Sequence, residues 1–233
     1  MKHAVSLPAL ALAILASTLA ACQSSAPPTA AEIEATAMQA RQAGDQQAER
    51  RVRNWAAKGM PVAERELARV YQPRPARRDD ALRLFEQAAR TGDAEAAFEL
   101  GQMLRPGAPE QAWSWYRLAA QQQHARAALM MGLLAASGQG VSKDAATAAH
   151  WLEVSSELGN PQAMFLLYKA YREGRGVEQD AARSQQLLEE AAHRHYPPAI
   201  EELAMTVQIA DATRAGHLLK EASEHRQNHW NHF

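Results

Sequence analysis

Small and apolar residues recur along this chain at the spacing of one helix face. An alanine is followed four positions later by a larger apolar residue, and this pattern appears five times. The alanines are Ala63, Ala96, Ala127, Ala163 and Ala199, and the residues four positions later are Leu67, Leu100, Met131, Leu167 and Leu203. Positions i and i+4 lie on the same face of an α-helix, whereas a strand would alternate apolar and polar residues. The pattern predicts an all-α chain.

A second set of positions predicts a partner for each of these helices. It consists of apolar pairs, namely Leu84 and Phe85, Trp115 and Tyr116, Trp151 and Leu152, Leu187 and Leu188, and Leu218 and Leu219. A small residue follows four positions after the first member of each pair: Ala88, Ala119, Ser155, Ala191 and Ala222. Small residues let helices approach closely, while the larger side chains fill the space beside them. Turn sequences such as "RTGD", "LGNP" and "HYPP" separate the predicted helices, as expected for pairs of short helices.

One glycine-rich loop occurs twice. The segment 137–151, "SGQGVSKDAATAAHW", returns 36 residues later as "EGRGVEQDAARSQQL". A loop that recurs at fixed spacing indicates a structural repeat, because a phosphate-binding loop occurs once per site. Gly138 is expected to end a helix in the left-handed conformation. Asp144, Asp180 and Asp211 precede the second helices and are expected to be N-caps.

The helix stripes together with the Gly-x-Gly-Val loop resemble the Sel-one-like repeat, a relative of the tetratricopeptide repeat. Tyr168 and Ala204 stand where this family has glycine. The resemblance implies a right-handed superhelical solenoid of antiparallel helix pairs that binds other proteins. The predicted organisation is a signal peptide at 1–21, a lipidated tether at 22–30, capping helices at 31–60, five repeats at 61–227 and a His-rich tail at 228–233.

The amino-terminal segment predicts export and lipid attachment. A short basic start precedes an apolar stretch that is too short and interrupted for a stable membrane helix. It ends in "LAAC", which resembles the lipobox of bacterial lipoproteins and implies acylation at Cys22. The alternative is an ordinary signal peptide that is cut nearby. Because Cys22 is the only cysteine, the chain cannot form an internal disulfide.

The residues after Cys22 bear on which membrane would hold the protein. Gln23 and Ser24 follow it, and neither is aspartate. In Gram-negative lipoproteins, an aspartate at this place is the usual signal for retention in the inner membrane. The resemblance therefore implies the outer membrane, facing the periplasm, if the host is Gram-negative.

Charge and motif content narrow the functional classes. The 25 basic and 26 acidic residues give a net charge of −1, which provides no electrostatic basis for nucleic-acid binding. No cofactor, catalytic residue or small-molecule substrate is expected, since no nucleophile or acid–base motif is present. His225 and His229, four residues apart, are weak candidates for metal ligands, with a solvated terminal tail as the alternative. No metal site is assigned.

A partner-binding surface is predicted on the first helix of each pair. Residues two and six positions after the stripe alanine lie on the opposite side of the helix, at ~100° per residue. The candidate residues are Arg65, Arg69, Phe98, Gln102, Leu129, Leu133, Phe165 and Lys169. They would form an apolar strip with charged edges, suited to a peptide or helix of a partner. The alternative is ordinary packing, because repeat helices contact neighbours on several sides.

The resemblance implies a scaffold for an envelope assembly, for example exopolysaccharide export or secretion machinery. The expected protein would be anchored in the outer membrane through its lipid and would bind protein partners in the periplasm. The alternative role is a regulator of a cell-wall (peptidoglycan) enzyme or a module that binds glycan directly.

Overall fold

The structure is a computed structural model that describes residues 26–207 and 212–229. All regular structure in these ranges is helical, which confirms the all-α prediction. The helices are α1 (Ala30–Gln42), α2 (Gln46–Ala56), α3 (Pro61–Tyr71), α4 (Arg78–Arg90), α5 (Ala94–Leu104), α6 (Pro109–Gln121), α7 (Ala125–Ser137), α8 (Ala145–Glu157), α9 (Pro161–Glu173), α10 (Ala181–His193), α11 (Pro197–Val207) and α12 (Ala212–His229). A short 3-10 helix, Pro75–Arg77, precedes α4.

Each helix packs against the next one along the chain. Odd-numbered helices are the first helices of the pairs, and even-numbered helices are the second. Every second helix from α2 to α10 also packs against the first helix that follows it, so the pairs form a continuous stack. Helix α1 additionally contacts α3. In such a stack each pair contacts only its neighbours.

The predicted stripes form the core. All five stripe alanines are fully buried, and the larger residues four positions later are at most 6% exposed. The small residues of the second helices, Ser155 among them, are also fully buried. The Ser155 hydroxyl donates to the carbonyl of Ala125 over 2.8 Å, so this polar group satisfies its hydrogen bonding inside the core.

The recurring loop makes a close contact between repeats. Gly138 ends α7 in the left-handed conformation, as predicted, and Gly174 ends α9 in the same way. A Cβ at Gly176 would lie 2.0 Å from the carbonyl oxygen of Ala145, at the start of the preceding second helix. Gly140 approaches the carbonyl of Pro109, at the start of α6, in the same way. The second glycine therefore lets one repeat's loop pack directly on the backbone of the repeat before it.

Side-chain caps begin the second helices where the sequence predicted them. Asp144 accepts from the backbone N–H groups of Ala146 and Thr147, and Asp180 accepts from that of Arg183. Asp211 lies outside the described residues, as do Cys22 and the predicted signal peptide. Among the helices of residues 26–207 and 212–229, none has the length and apolar character needed to span a membrane.

Candidate interaction surface

The predicted apolar strip is mostly buried. Phe98, Leu129 and Phe165 are 2%, 6% and 7% exposed, whereas Leu133 is half-buried. The structure thus corrects the expectation of a continuous exposed strip. For the two aromatic residues and Leu129, it favours the alternative of ordinary packing.

The neighbouring first helix explains the burial of Phe98. Its ring stacks on His124, the N-cap of α7, with centroids 4.8 Å apart, and lies 5.8 Å from the ring of Tyr116. The guanidinium of Arg126 covers the ring at 4.4 Å. The wheel of a single helix places Phe98 opposite its own core stripe. It does not show that the next first helix covers that side.

Arg65 and Arg69 are engaged within the chain and are not free cations. Arg65 donates to Glu34 on α1 and to Asp93 before α5, each over 2.7 Å. Arg69 donates to two carboxylates of α5, Glu95 at 2.7 Å and Glu99 at 3.1 Å. Both arginines also contact Glu66, which is 1% exposed. These ion pairs connect α1, α3 and α5.

Glu95 extends the same network to α7. His124 donates from Nε2 to Glu95 over 2.8 Å, because its Nδ1 accepts the backbone N–H of Ala127 and caps α7. This hydrogen bond, together with Arg69 and Arg126 nearby, lowers the pKa of Glu95 to about 2. This network was not predicted from the sequence. Its signal in the sequence was the spacing of opposite charges by nearly one repeat, as between Arg69 and Glu99, which are 30 residues apart.

Gln102, a predicted surface residue, and Tyr168, which differs from the family pattern, also make contacts within the chain. Gln102 accepts a 2.6 Å hydrogen bond from the hydroxyl of Tyr116, whose pKa burial raises to about 12. Tyr168, which replaces the family's glycine, is buried and donates from its hydroxyl to Glu202 on α11 over 2.8 Å. Arg172 donates to the same carboxylate over 2.7 Å. The tyrosine therefore helps to connect α9 with α11.

The series of ion pairs between first helices is interrupted between α7 and α9. Helix α7 contains no aspartate or glutamate, and no ion pair of the described residues joins it to α9. A recess of about 240 Å³ lies between these two helices, and residues of α8 also line it. We call it the α7–α9 recess. It is lined by Leu133, Leu152 and Leu166, and by the cations Lys143, Lys169 and Arg175. Of the predicted surface, Leu133 and Lys169 are thus brought together here.

No metal centre can be assembled from the described part of the chain. Within it, no three His, Cys, Asp or Glu side chains are grouped so that they could hold an ion. His225 and His229 lie on α12, but their side chains are not among those that the structure describes.

Comparison with known proteins adds a family and a fold. A family model for the Sel1 repeat matches residues 61–93, 94–124, 125–160 and 161–196. The crystal structure of a Sel1 repeat protein from Oxalobacter formigenes is 28% identical, with a TM-score of 0.71 over 82% of this chain and 84% of that one. No curated protein matches the chain significantly in sequence.

A second solved structure has the same fold at lower identity. It is c5321, a protective antigen present in uropathogenic Escherichia coli strains displaying an SLR fold. It is 21% identical, with a TM-score of 0.72 over 84% of this chain and 46% of that one, so this chain spans about half its length. Together with the consecutive packing of the helices, these likenesses confirm the predicted all-α solenoid of antiparallel helix pairs.

Proposed function

Because the chain belongs to the Sel1 repeat family, whose members generally mediate protein–protein interactions and are typically non-catalytic, we propose that it is a scaffold lipoprotein. In this proposal, acylated Cys22 anchors the solenoid in the outer membrane, facing the periplasm. The repeats bind proteins of an envelope assembly, such as export or secretion machinery.

The α7–α9 recess is the observation that supports protein binding most directly. Its lining combines the apolar side chains of Leu133, Leu152 and Leu166 with three cations, of which Lys143 and Arg175 are exposed. A site of this kind can accept one side chain of a partner while polar groups around it fix the orientation. At two other junctions between first helices, the buried ring of Phe98 and the ion pair of Arg172 with Glu202 occupy the corresponding place.

The anchor is supported by the "LAAC" sequence and by the single cysteine. One acyl chain gives only marginal membrane binding, whereas two or more chains hold a protein firmly. Seven residues, 23–29, separate Cys22 from the start of α1 at Ala30. Extended, they span roughly 24 Å at about 3.4 Å per residue. The repeats would therefore act close to the membrane surface.

Fractionation combined with chemical crosslinking in cells tests this proposal. The wild-type protein is expected in the outer-membrane fraction, and Cys22→Ala is expected to move it to a soluble fraction. Crosslinking followed by mass spectrometry is expected to recover envelope proteins with the wild type. Recovery of purified peptidoglycan with the protein, in the absence of any other protein, would instead support the glycan-binding alternative and contradict the scaffold.

A further inference from the structure

We infer that the α7–α9 recess is a docking site for an acidic segment of a partner protein, which inserts one large apolar side chain between α7 and α9. This inference rests on the proposed protein-binding function and specifies the chemistry of the partner. The segment would carry several carboxylates on either side of the inserted residue.

The size and lining of the recess select the inserted group. Its volume is about 240 Å³, larger than the roughly 150 Å³ protein cavity that accepts benzene. Gly132 and five alanines line it beside the leucines, and these small side chains leave the space unfilled. An aromatic or branched aliphatic side chain therefore fits, and its burial would be favourable in proportion to the apolar area removed from water.

The charges around the opening select the rest of the segment. No carboxylate lines the recess, whereas three cations do. Lys143 is exposed and forms no ion pair with any described residue. The Lys169 ammonium lies 4.5 Å over the ring of Phe165 and helps to lower the pKa of Glu202. Arg175 pairs with Glu173, which is itself outside the lining. The local field thus favours an anionic partner.

The placement of the cations favours a peptide over a single anionic headgroup. Lys143 lies in the loop before α8, Lys169 lies on α9, and Arg175 lies in the loop after α9. They therefore approach the opening from three different segments. A chain with carboxylates before and after its apolar residue can contact all three, whereas one terminal carboxylate, as in a fatty acid, can pair with only part of the set.

The absence of acidic residues on α7 explains why Lys169 has no carboxylate partner on that side. At the junction of α3 with α5, Arg69 finds Glu95 and Glu99. At the junction of α9 with α11, Arg172 finds Glu202. Lys169 has no such partner toward α7, since that helix carries only Arg126 among charged residues. At this junction, a partner's carboxylates would form the ion pairs that the chain's own carboxylates form at the other two junctions.

Methyl NMR of the purified full-length protein in detergent tests the inference directly. The probe is a nine-residue peptide of aspartate and glutamate around a central tryptophan, added to millimolar concentration so that weak binding is registered. Methyl resonances of Leu133, Leu152 and Leu166 are expected to shift. A peptide with central alanine, and one with lysine in place of its acids, are expected to shift them at least about tenfold less at the same concentration.

Two matched pairs of variants localise the binding. Ala136 lines the recess but is exposed, so Ala136→Trp should fill the opening without disturbing the core and abolish binding. Ala35→Trp, at an exposed position on α1, should leave it unchanged. Lys143→Glu should weaken binding at least about threefold, as expected for a partly exposed charge pair. Lys58→Glu, which makes the same charge change in another turn, should not.

Several results would overturn the docking site. One is absence of methyl shifts with the acidic tryptophan peptide. Another is equal binding by Ala136→Trp and Ala35→Trp. A third is a saturable shift of the same leucine methyl resonances on addition of dodecanoate, if the peptide does not displace the dodecanoate. The occupant of the recess would then be a lipid. If envelope proteins are still crosslinked in cells by Ala136→Trp as by wild type, this site is wrong while the scaffold function stands. If the wild-type protein yields no crosslinked partner in cells, the scaffold function itself is contradicted.

Discussion

At the scale of residues, the two glycines of each Gly-x-Gly-Val loop have different tasks. Gly174 ends α9 in the left-handed conformation, with no atom nearer than 3.6 Å to where its Cβ would be. Gly176 is also left-handed, at φ 77°, but lies directly against the backbone of Ala145. The first glycine therefore serves the turn, and the second serves the contact with the preceding repeat.

Alanine substitutions at these two glycines should have unequal effects. Gly174→Ala is expected to lower the free energy of unfolding by about 1 kcal/mol, the cost of a left-handed alanine. Gly176→Ala adds a clash with backbone and is expected to cost about 2–4 kcal/mol. Urea unfolding monitored by circular dichroism measures both values. Equal losses in the two variants would contradict a direct packing role for Gly176.

Residues whose environment is local could be predicted from the sequence, whereas the burial of Phe98 could not. The stripe alanines and the caps Asp144 and Asp180 depend on positions within one helix or at its start, so periodicity and residue type were sufficient. The environment of Phe98 depends on His124 and Arg126, which another helix supplies. A helical wheel contains no information about that neighbour.

Truncation at Phe98 and at Leu133 distinguishes core from surface within the predicted strip. Phe98→Ala should reduce the free energy of unfolding by about 3–5 kcal/mol, as for other buried phenylalanines. Leu133→Ala should cost about 1 kcal/mol or less, because part of that side chain remains accessible to solvent. Thermal and urea unfolding provide the comparison. A Phe98→Ala protein as stable as the wild type would show that this ring is not part of the core.

At the scale of elements, side-chain networks connect helices that are too short to be stable alone. The first helices contain 11 or 13 residues, and isolated helices of this length are marginal in water. Arg69 on α3, Glu95 on α5 and His124 before α7 form a continuous set of contacts across three repeats. Because these partners come from different repeats, the network also fixes the relative placement of successive first helices.

The pH dependence of stability should reveal the contribution of Glu95. Its pKa is lowered from 4.5 to about 2 in the folded chain, so its stabilising effect is complete above pH 4.5 and is lost as the pH falls toward 2. Glu95→Gln should be less stable than wild type by about 1 kcal/mol at neutral pH, after allowance for partial exposure. This difference should shrink between pH 4.5 and 2.

The exposed loop residue Glu178, which forms no ion pair with described residues, provides the control. Glu178→Gln should follow the wild-type profile throughout this pH range. A constant difference between Glu95→Gln and wild type down to pH 2 would mean that the carboxylate's ionisation in the folded state contributes little.

At the scale of the whole molecule, the repeat spacing specified the architecture, but not the position of the recess. A 36-residue repeat and alternating helix types predict a stack of helix pairs, since each pair must bury its apolar face against the next. Glycine and alanine line the α7–α9 recess and leave its space unfilled, and α7 offers no acidic residue to the cations beside it. Lys143, Lys169 and Arg175 converge there only once three separate segments are placed in space.

The central claim is that the solenoid binds a protein partner through its first-helix surface at the α7–α9 recess. Site-specific photocrosslinking in cells tests it most directly, with the photoreactive residue at Ala136 in the recess or at Gln185, exposed on α10. We expect one dominant partner protein to be captured from position 136 and little or none from position 185. Crosslinks confined to this chain at position 136, or equal capture from both positions, would contradict it.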